Sequence, residues 1–319
     1  MRAFVFLLAV AAFAADFPEA EISNGVVTAK LYLPDAQRGY YRGTRFDWSG
    51  QIYSLKTQGH EYFGQWFPKY DPNLHDSIMG PVEDFRTGSS SLGYDDAAAG
   101  EVFYRIGVGA VKKPDDKPFQ PFRTYEIVDP GKWTVEKKPD SITFIQELTG
   151  KNGYGWRYTK TVRLVKGKPE MVIEHELQNT GTKVIHTQQY NHNFFVMNGE
   201  PTGPGVTVKF PFELKPVRAF AAGTPASVEG GKIQYSEELQ GRQSAFAEFE
   251  GAPEYQVTLE HAKAKTGVRI TGDKPIQKLV FWSIRSTFCP EPYIDVSAAP
   301  GTESRWNYTY SFYSLNAAN

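Results

Sequence analysis

Two adjoining stretches limit what this chain can fold into more than any others. Trp156, Tyr158, Val162 and Leu164 share one face, while Arg157, Thr159, Thr161 and Arg163 share the other. After Gly167-Lys168-Pro169 the pattern resumes, with Met171, Ile173, His175 and Leu177 pointing one way and Glu174 and Glu176 the other. A period of two sustained over this length predicts a half-buried antiparallel strand pair, because successive strand side chains face opposite sides of the sheet. No segment keeps an apolar period of 3.6 for three turns.

The rest of the chain reads the same way. Ile22 to Leu33 is expected as a strand with an Asn24-Gly25 turn signal near its start, and Tyr40 to Lys56 as two short strands joined through Ser49-Gly50. Further strands are expected at Phe103 to Val111, Arg123 to Val128, Lys132 to Lys137 and Ser141 to Leu148. Val184 to Val196, Val206 to Phe210, Ser244 to Glu250 and Tyr255 to His261 continue the series. Gly267 to Thr271, Lys278 to Ile284 and Arg305 to Phe312 complete it. Gly59 to Gly100 has no period, and a stretch of that kind is more often a functional loop than an idle one. Many short strands with turn signals and no helical linkers predict an all-β fold, a large antiparallel sandwich of two sheets. No linker or internal repeat divides it, so residues 15–319 are read as one domain and the chain as a monomer.

The first residues read differently. Met1-Arg2, an apolar run from Ala3 to Ala11, and Ala12-Phe13-Ala14 have the three parts of a secretory signal peptide. Cleavage after Ala14 implies export, to a periplasm or the medium. No later run is long and apolar enough to span a membrane. Lys plus Arg (35) balances Asp plus Glu (36), which excludes the basic footprint that nucleic acid or an anionic membrane surface requires. The single cysteine, Cys289, makes no intrachain disulfide and no cysteine-based zinc site.

Two places carry candidate chemistry. His192 lies in Asn191-His192-Asn193-Phe194-Phe195 and shares a face with Tyr190, Phe194 and Val196. On its residues alone it is either a satisfied core histidine or a general acid whose pKa is tuned near neutrality. Glu291 lies in Cys289-Pro290-Glu291-Pro292-Tyr293. Two prolines exclude it from a sheet ladder, so it is either a solvated loop acid or a carboxylate held in one direction. Paired acids also occur in Gly80-Pro81-Val82-Glu83-Asp84-Phe85, read as a loop that binds hydroxyls, acts as a glycosidase-like carboxylate pair, or is an ordinary turn. A metal site from His75, Asp76, Glu83 and Asp84 fits no ligand spacing. Gly107-Val108-Gly109 lacks the third glycine and helix of a dinucleotide site, and no Gly-x-Ser-x-Gly elbow occurs.

Taken together and in order, these motifs resemble the galactose mutarotase-like (aldose 1-epimerase) family. The Asn191 to Phe195 segment is similar to that family's Asn-His-x-Tyr-Phe-Asn, and Phe288 to Tyr293 to its catalytic-glutamate segment. Ala299-Pro300-Gly301-Thr302-Glu303 and the final strand resemble its closing turn and strand, and the hairpin from Ser49 to Gly59 its start. The resemblance implies a large antiparallel β-supersandwich that interconverts sugar anomers without metal or other cofactor. Glu291 would be the base at the anomeric hydroxyl and His192 the acid at the ring oxygen, facing each other across a sugar. It further implies substrate-binding roles for His75, in Asn73-Leu74-His75, and for Arg45 and Arg86; Asn191, Asn193 and Glu83 join these candidates. Two departures stand out: Asp76-Ser77 replace the family's glycines, and no aspartate lies between Asp140 and Asp273. They leave open a non-catalytic carbohydrate-binding protein, or a polysaccharide-cleaving enzyme using the loop from Gly80 to Arg86, as alternatives.

Overall fold

The chain is described by a computed structural model covering residues 17–315. The expected leader, residues 1–14, lies outside them. In chain order the strands are β1 (Glu19–Ser23), β2 (Val27–Tyr32), β3 (Gln51–Thr57), β4 (His60–Glu61), β5 (Gly80–Arg86) and β6 (Val102–Arg105). There follow β7 (Gly109–Lys112), β8 (Ile127–Asp129), β9 (Lys132–Lys137), β10 (Ser141–Thr149), β11 (Gly155–Leu164) and β12 (Glu170–Asn179). Then come β13 (Ile185–Phe194), β14 (Val206–Lys209), β15 (Pro216–Arg218), β16 (Ala226–Glu229), β17 (Lys232–Tyr235) and β18 (Ser244–Ala252). The last are β19 (Gln256–His261), β20 (Thr266–Gly272), β21 (Ile276–Ile284), β22 (Thr287–Ala298) and β23 (Glu303–Ser314). A short 3-10 turn, Met197–Gly199, follows β13.

All pairings are antiparallel. A ten-stranded sheet runs β16-β17-β14-β19-β20-β23-β12-β11-β10-β9, and a six-stranded sheet runs β15-β18-β21-β22-β13-β5. A four-stranded sheet, β1 to β4, and a three-stranded one, β6 to β8, complete the fold. The β11–β12 pair has the register its alternation demands, with Tyr158 opposite Leu177 and Val162 opposite Ile173. The apolar faces of the two large sheets meet in one core, where Trp156, Tyr158 and Ile173 join Leu279, Phe281 and Ile294. The all-β supersandwich expected from the sequence is the fold observed.

Several local expectations are corrected. Ile22 to Leu33 is a hairpin, not one strand, because the Asn24 side chain accepts hydrogen bonds from the backbone N–H groups of Val26 (2.9 Å) and Val27 (2.7 Å) and turns the chain. Tyr40 to Lys56 holds only β3. Before it, Asp47 accepts from the Ser49 backbone N–H (2.8 Å), forming a side-chain turn instead of a ladder. Phe103 to Val111 breaks at Gly107, whose φ of 79° favours glycine, giving β6 and β7. The loop expected from Gly80 to Arg86 is a strand, β5, paired along its length with β13. Every residue from Gly80 to Phe85 is buried, so no alternation marks it.

Glu291 also belongs to a strand. Pro290 and Pro292 have the same parity on β22, so their missing N–H groups face one neighbour. On the other side the ladder to β21 is intact, with Val280 opposite Glu291. Towards β13 it stops at Tyr190–Tyr293 and resumes only as the single bridge Phe195–Phe288. The Asn193 side chain closes part of the gap by donating to the Pro290 carbonyl (2.9 Å).

Candidate functional site

The six-stranded sheet turns one face to the core and builds a cavity of about 480 Å³ on the other. Its period of two selects the lining. From β13 come Tyr190, His192 and Phe194, and from β22 Glu291 and Tyr293. From β21 come Lys278, Val280 and Trp282. The outer strands add Arg86, Phe246, Glu248 and Arg218, while Arg45, Asp76 and Phe122 reach in from loops. The volume falls within the range of small-molecule sites, about 300–1,000 Å³.

His192 and Glu291 meet here. His192 Nε2 lies 3.2 Å from Glu291 Oε1, and each side chain is only 5% exposed. They are in direct contact, not separated by a sugar-sized gap. The pair lies on the cavity face of the stretch where the β13–β22 ladder is interrupted, between Tyr190–Tyr293 and the bridge Phe195–Phe288. His192 is stacked on Phe194 (3.9 Å between centroids) and lies edge-on to Phe46 and Trp282. Its Nδ1 is buried without a hydrogen-bond partner among the described residues. Burial drives the imidazole pKa well below its ordinary value, and Arg45 adds to the effect, while Asp76 and Asp84 oppose it. Burial pushes Glu291 up to about 8 against the pull of Arg45 and Arg86. The two shifts act in the same sense, favouring a proton on the carboxyl over one on the imidazole near neutral pH.

Behind the pair lies a charged framework. Asp84 is fully buried. It accepts from Arg86 Nε (2.8 Å), Arg105 Nη2 (2.6 Å) and the Tyr190 hydroxyl (2.8 Å), with Arg45 Nε 3.7 Å away. Burial alone would raise its pKa, but the three guanidiniums outweigh that and bring it to about 2. Arg45 also pairs with Asp76 (2.5 Å) and is sandwiched between Phe46 and Phe122, at 4.4 and 4.8 Å. These contacts fix Arg45 and Arg86 at the cavity wall, where their remaining N–H donors suit sugar hydroxyls.

Of the other residues singled out in the sequence, Arg45 and Arg86 line this cavity. His75 does not; it sits behind the lining, with Nε2 on Asp76 (3.0 Å) and its ring against Phe122. Asn191 and Asn193 face the core: Asn191 donates to the Tyr310 hydroxyl (3.1 Å), which in turn donates to Asn193 Oδ1 (2.7 Å). Glu83 also faces the core, bonded to Lys160 Nζ and to His175 Nε2 (3.0 Å) and fully buried. Their burial seals all three from the cavity, because odd positions on β5 and β13 turn away from it. Glu83 and Asp84 thus point to opposite sides, which removes the polysaccharide-cleaving pair and any metal site joining them. No cluster of three or more metal-ligating side chains occurs among the described residues.

The sequence weighs Asp84 as one of a paired-acid loop, Asp76 as a metal ligand and Tyr190 as a neighbour of His192, but does not single out Lys278, Trp282 or Arg218; the structure places all six in or behind the cavity wall. Two signals were available. Tyr190 shares the His192 face by simple alternation, and Lys278 and Trp282 share one face of a strand that had been identified.

No protein-family model and no curated protein sequence matches the chain. Solved structures do. A protein from Synechocystis sp. PCC 6803 superposes with a TM-score of 0.59 at 12% identity, over 97% of this chain and 100% of that one. A galactose mutarotase-like protein from Lactobacillus casei gives 0.54 at 13% identity, over 92% and 100%. An aldose epimerase homologue from C. elegans gives 0.54 at 14% identity, over 94% and 99%. The fold of this chain is thus the galactose mutarotase-like fold.

Proposed function

We propose that this chain interconverts the anomers of an aldose, with Glu291 and His192 as its acid–base pair. The observation that carries the reading is their contact: a buried carboxyl and a buried imidazole, 3.2 Å apart, in the wall of a sugar-sized cavity. Two titratable groups whose environments push their pKa values in opposite directions are what acid–base chemistry near neutrality requires. That solved structures of the same fold include an aldose epimerase homologue supports the same reading.

The chemistry follows from one proton held by the pair. Its transfer from Glu291 to His192 Nε2 creates a carboxylate and an imidazolium. The carboxylate takes the proton of the anomeric hydroxyl, the C1–O5 bond breaks as C1–O1 becomes a carbonyl, and the imidazolium protonates O5. Rotation about C1–C2 presents the other carbonyl face. The steps then run in reverse and return the pair to its starting state. Every proton is accounted for and no electron changes hands. Arg45 and Arg86, fixed by Asp76 and Asp84, hold the sugar hydroxyls and favour the ionised form of Glu291.

The test is anomer exchange in freshly dissolved aldoses, followed by NMR or polarimetry. Glu291→Gln keeps the shape and removes the mobile proton, so the rate is expected to fall about 10²- to 10⁴-fold. An unchanged rate would remove this mechanism. Sugar binding without turnover by the parent protein would instead identify a carbohydrate-binding protein.

A further inference from the structure

The cations of the cavity fall into two groups. Arg45 and Arg86 are held by Asp76 and Asp84. Arg218 and Lys278 are not held by any carboxylate: neither makes an ion pair among the described residues. Register places Arg218 opposite Glu248 and Lys278 opposite Glu250. Each cation instead lies over an aromatic ring, Arg218 over Phe246 at 4.7 Å and Lys278 over Tyr293 at 4.2 Å. Two cations without a direct ion pair thus stand at the cavity, with Glu248 and Glu250 as their cross-strand neighbours. Cations resting on ring faces in such a place are free to receive an anion without first breaking an ion pair.

Their positions say which kind of anion. Lys278 lies on β21, next to the strand of Glu291 and two residues along from Val280, the cross-strand partner of Glu291. Strand spacing and rise put their Cα atoms about 8 Å apart. A lysine side chain from there reaches a substituent on the same pyranose ring whose anomeric carbon sits at Glu291. Arg218 lies three strands from Glu291, about 14 Å away, beyond one ring and level with a second. The Cα atoms of Arg218 and Lys278 stand about 12 Å apart, and their charged ends rest on separate rings, Phe246 and Tyr293, so they do not converge as a single phosphate would require. They match separate monoanions spaced along a sugar chain.

We propose that the substrate is a uronic acid, free or at the reducing end of a short oligouronide, with Lys278 receiving the carboxylate of the reacting unit and Arg218 that of the next. This rests on the reading that the cavity takes a sugar at Glu291 and His192. The reacting unit is the reducing end because the chemistry needs an unsubstituted O1.

Anomer exchange and calorimetric binding of galacturonate, galactose, glucose 6-phosphate and digalacturonate test it. The parent is expected to favour galacturonate over galactose by about tenfold or more in kcat/KM. Lys278→Met should reduce that ratio by about tenfold or more, the scale of one hydrogen bond to a charged group. Arg218→Met should weaken digalacturonate selectively. A galacturonate-to-galactose ratio near one, a ratio unmoved by Lys278→Met, or glucose 6-phosphate outrunning the uronates would overturn the proposal. If no sugar is turned over, the catalytic reading fails on its own. Calorimetry then decides this one: galacturonate binding weakened by Lys278→Met supports it, and binding that is absent or insensitive overturns it.

Discussion

Glu291 ionises near pH 8 because its carboxyl is buried, and that burial sets a thermodynamic cost on the charge that the reaction needs. In the unfolded chain the same carboxyl titrates near its ordinary 4.5. The stability it contributes as a neutral group is fully present below that value and is lost as pH rises through about 8. Glu291→Gln cannot ionise and escapes the loss. Thermal melts should show the variant's Tm close to the parent's at pH 5 and clearly above it at pH 9. A gap independent of pH would contradict the assigned burial. Glu291 and His192 could be paired from their order and flanking residues. Their resting protonation could not, because it depends on the aromatic rings and guanidiniums that only the fold brings around them.

On the scale of strands, legibility followed solvent exposure. β11 and β12 stood out because one face meets the core and the other meets water, so polarity records direction. β5 is covered on both sides and leaves no such record, which is why Gly80 to Arg86 read as a loop. Pro290 and Pro292 misled for a different reason. Proline forbids a ladder on the side its nitrogen faces, and β22 needs its N–H groups there on only part of its length. Asn193 repairs that interruption, bonding the Pro290 carbonyl and accepting from Tyr310. Asn193→Ala would deprive the buried Pro290 carbonyl of this donor and the Tyr310 hydroxyl proton of its acceptor, while Asn191 still donates to the Tyr310 oxygen, at about 1–3 kcal/mol for each lost bond. We expect a destabilisation of about 2–4 kcal/mol in urea unfolding, with a fall in kcat as β13 and β22 shift. A variant within about 0.5 kcal/mol of the parent would mean that the gap needs no repair.

Across the whole molecule, polar contacts tie the two large sheets together inside an otherwise apolar core. Glu83 of the six-stranded sheet meets Lys160 and His175 of the ten-stranded one, and the Tyr308 hydroxyl donates to Gln189. Lys160 and His175 occupy apolar-face positions of β11 and β12 and are register partners. That coincidence was visible in the sequence as two polar side chains on an apolar stripe, each needing a partner from elsewhere. The partner was hidden because β5 was not recognised as a strand. Lys160→Met leaves Glu83 buried with one cation fewer, and denaturant titration should show a loss of about 3–5 kcal/mol. Adding Glu83→Gln to it should recover part of that loss; if the double variant is as unstable as the sum of the two, the pair is not coupled. The same division of β13 into Tyr190, His192 and Phe194 on one side and Gln189, Asn191 and Asn193 on the other restricts how such a chain can diverge. Inserting or deleting one residue within the strand would exchange the two sets, sending the asparagines into the cavity and the imidazole into the core. Substitutions can accumulate freely within this frame, but changes of length must fall in the loops or come in pairs.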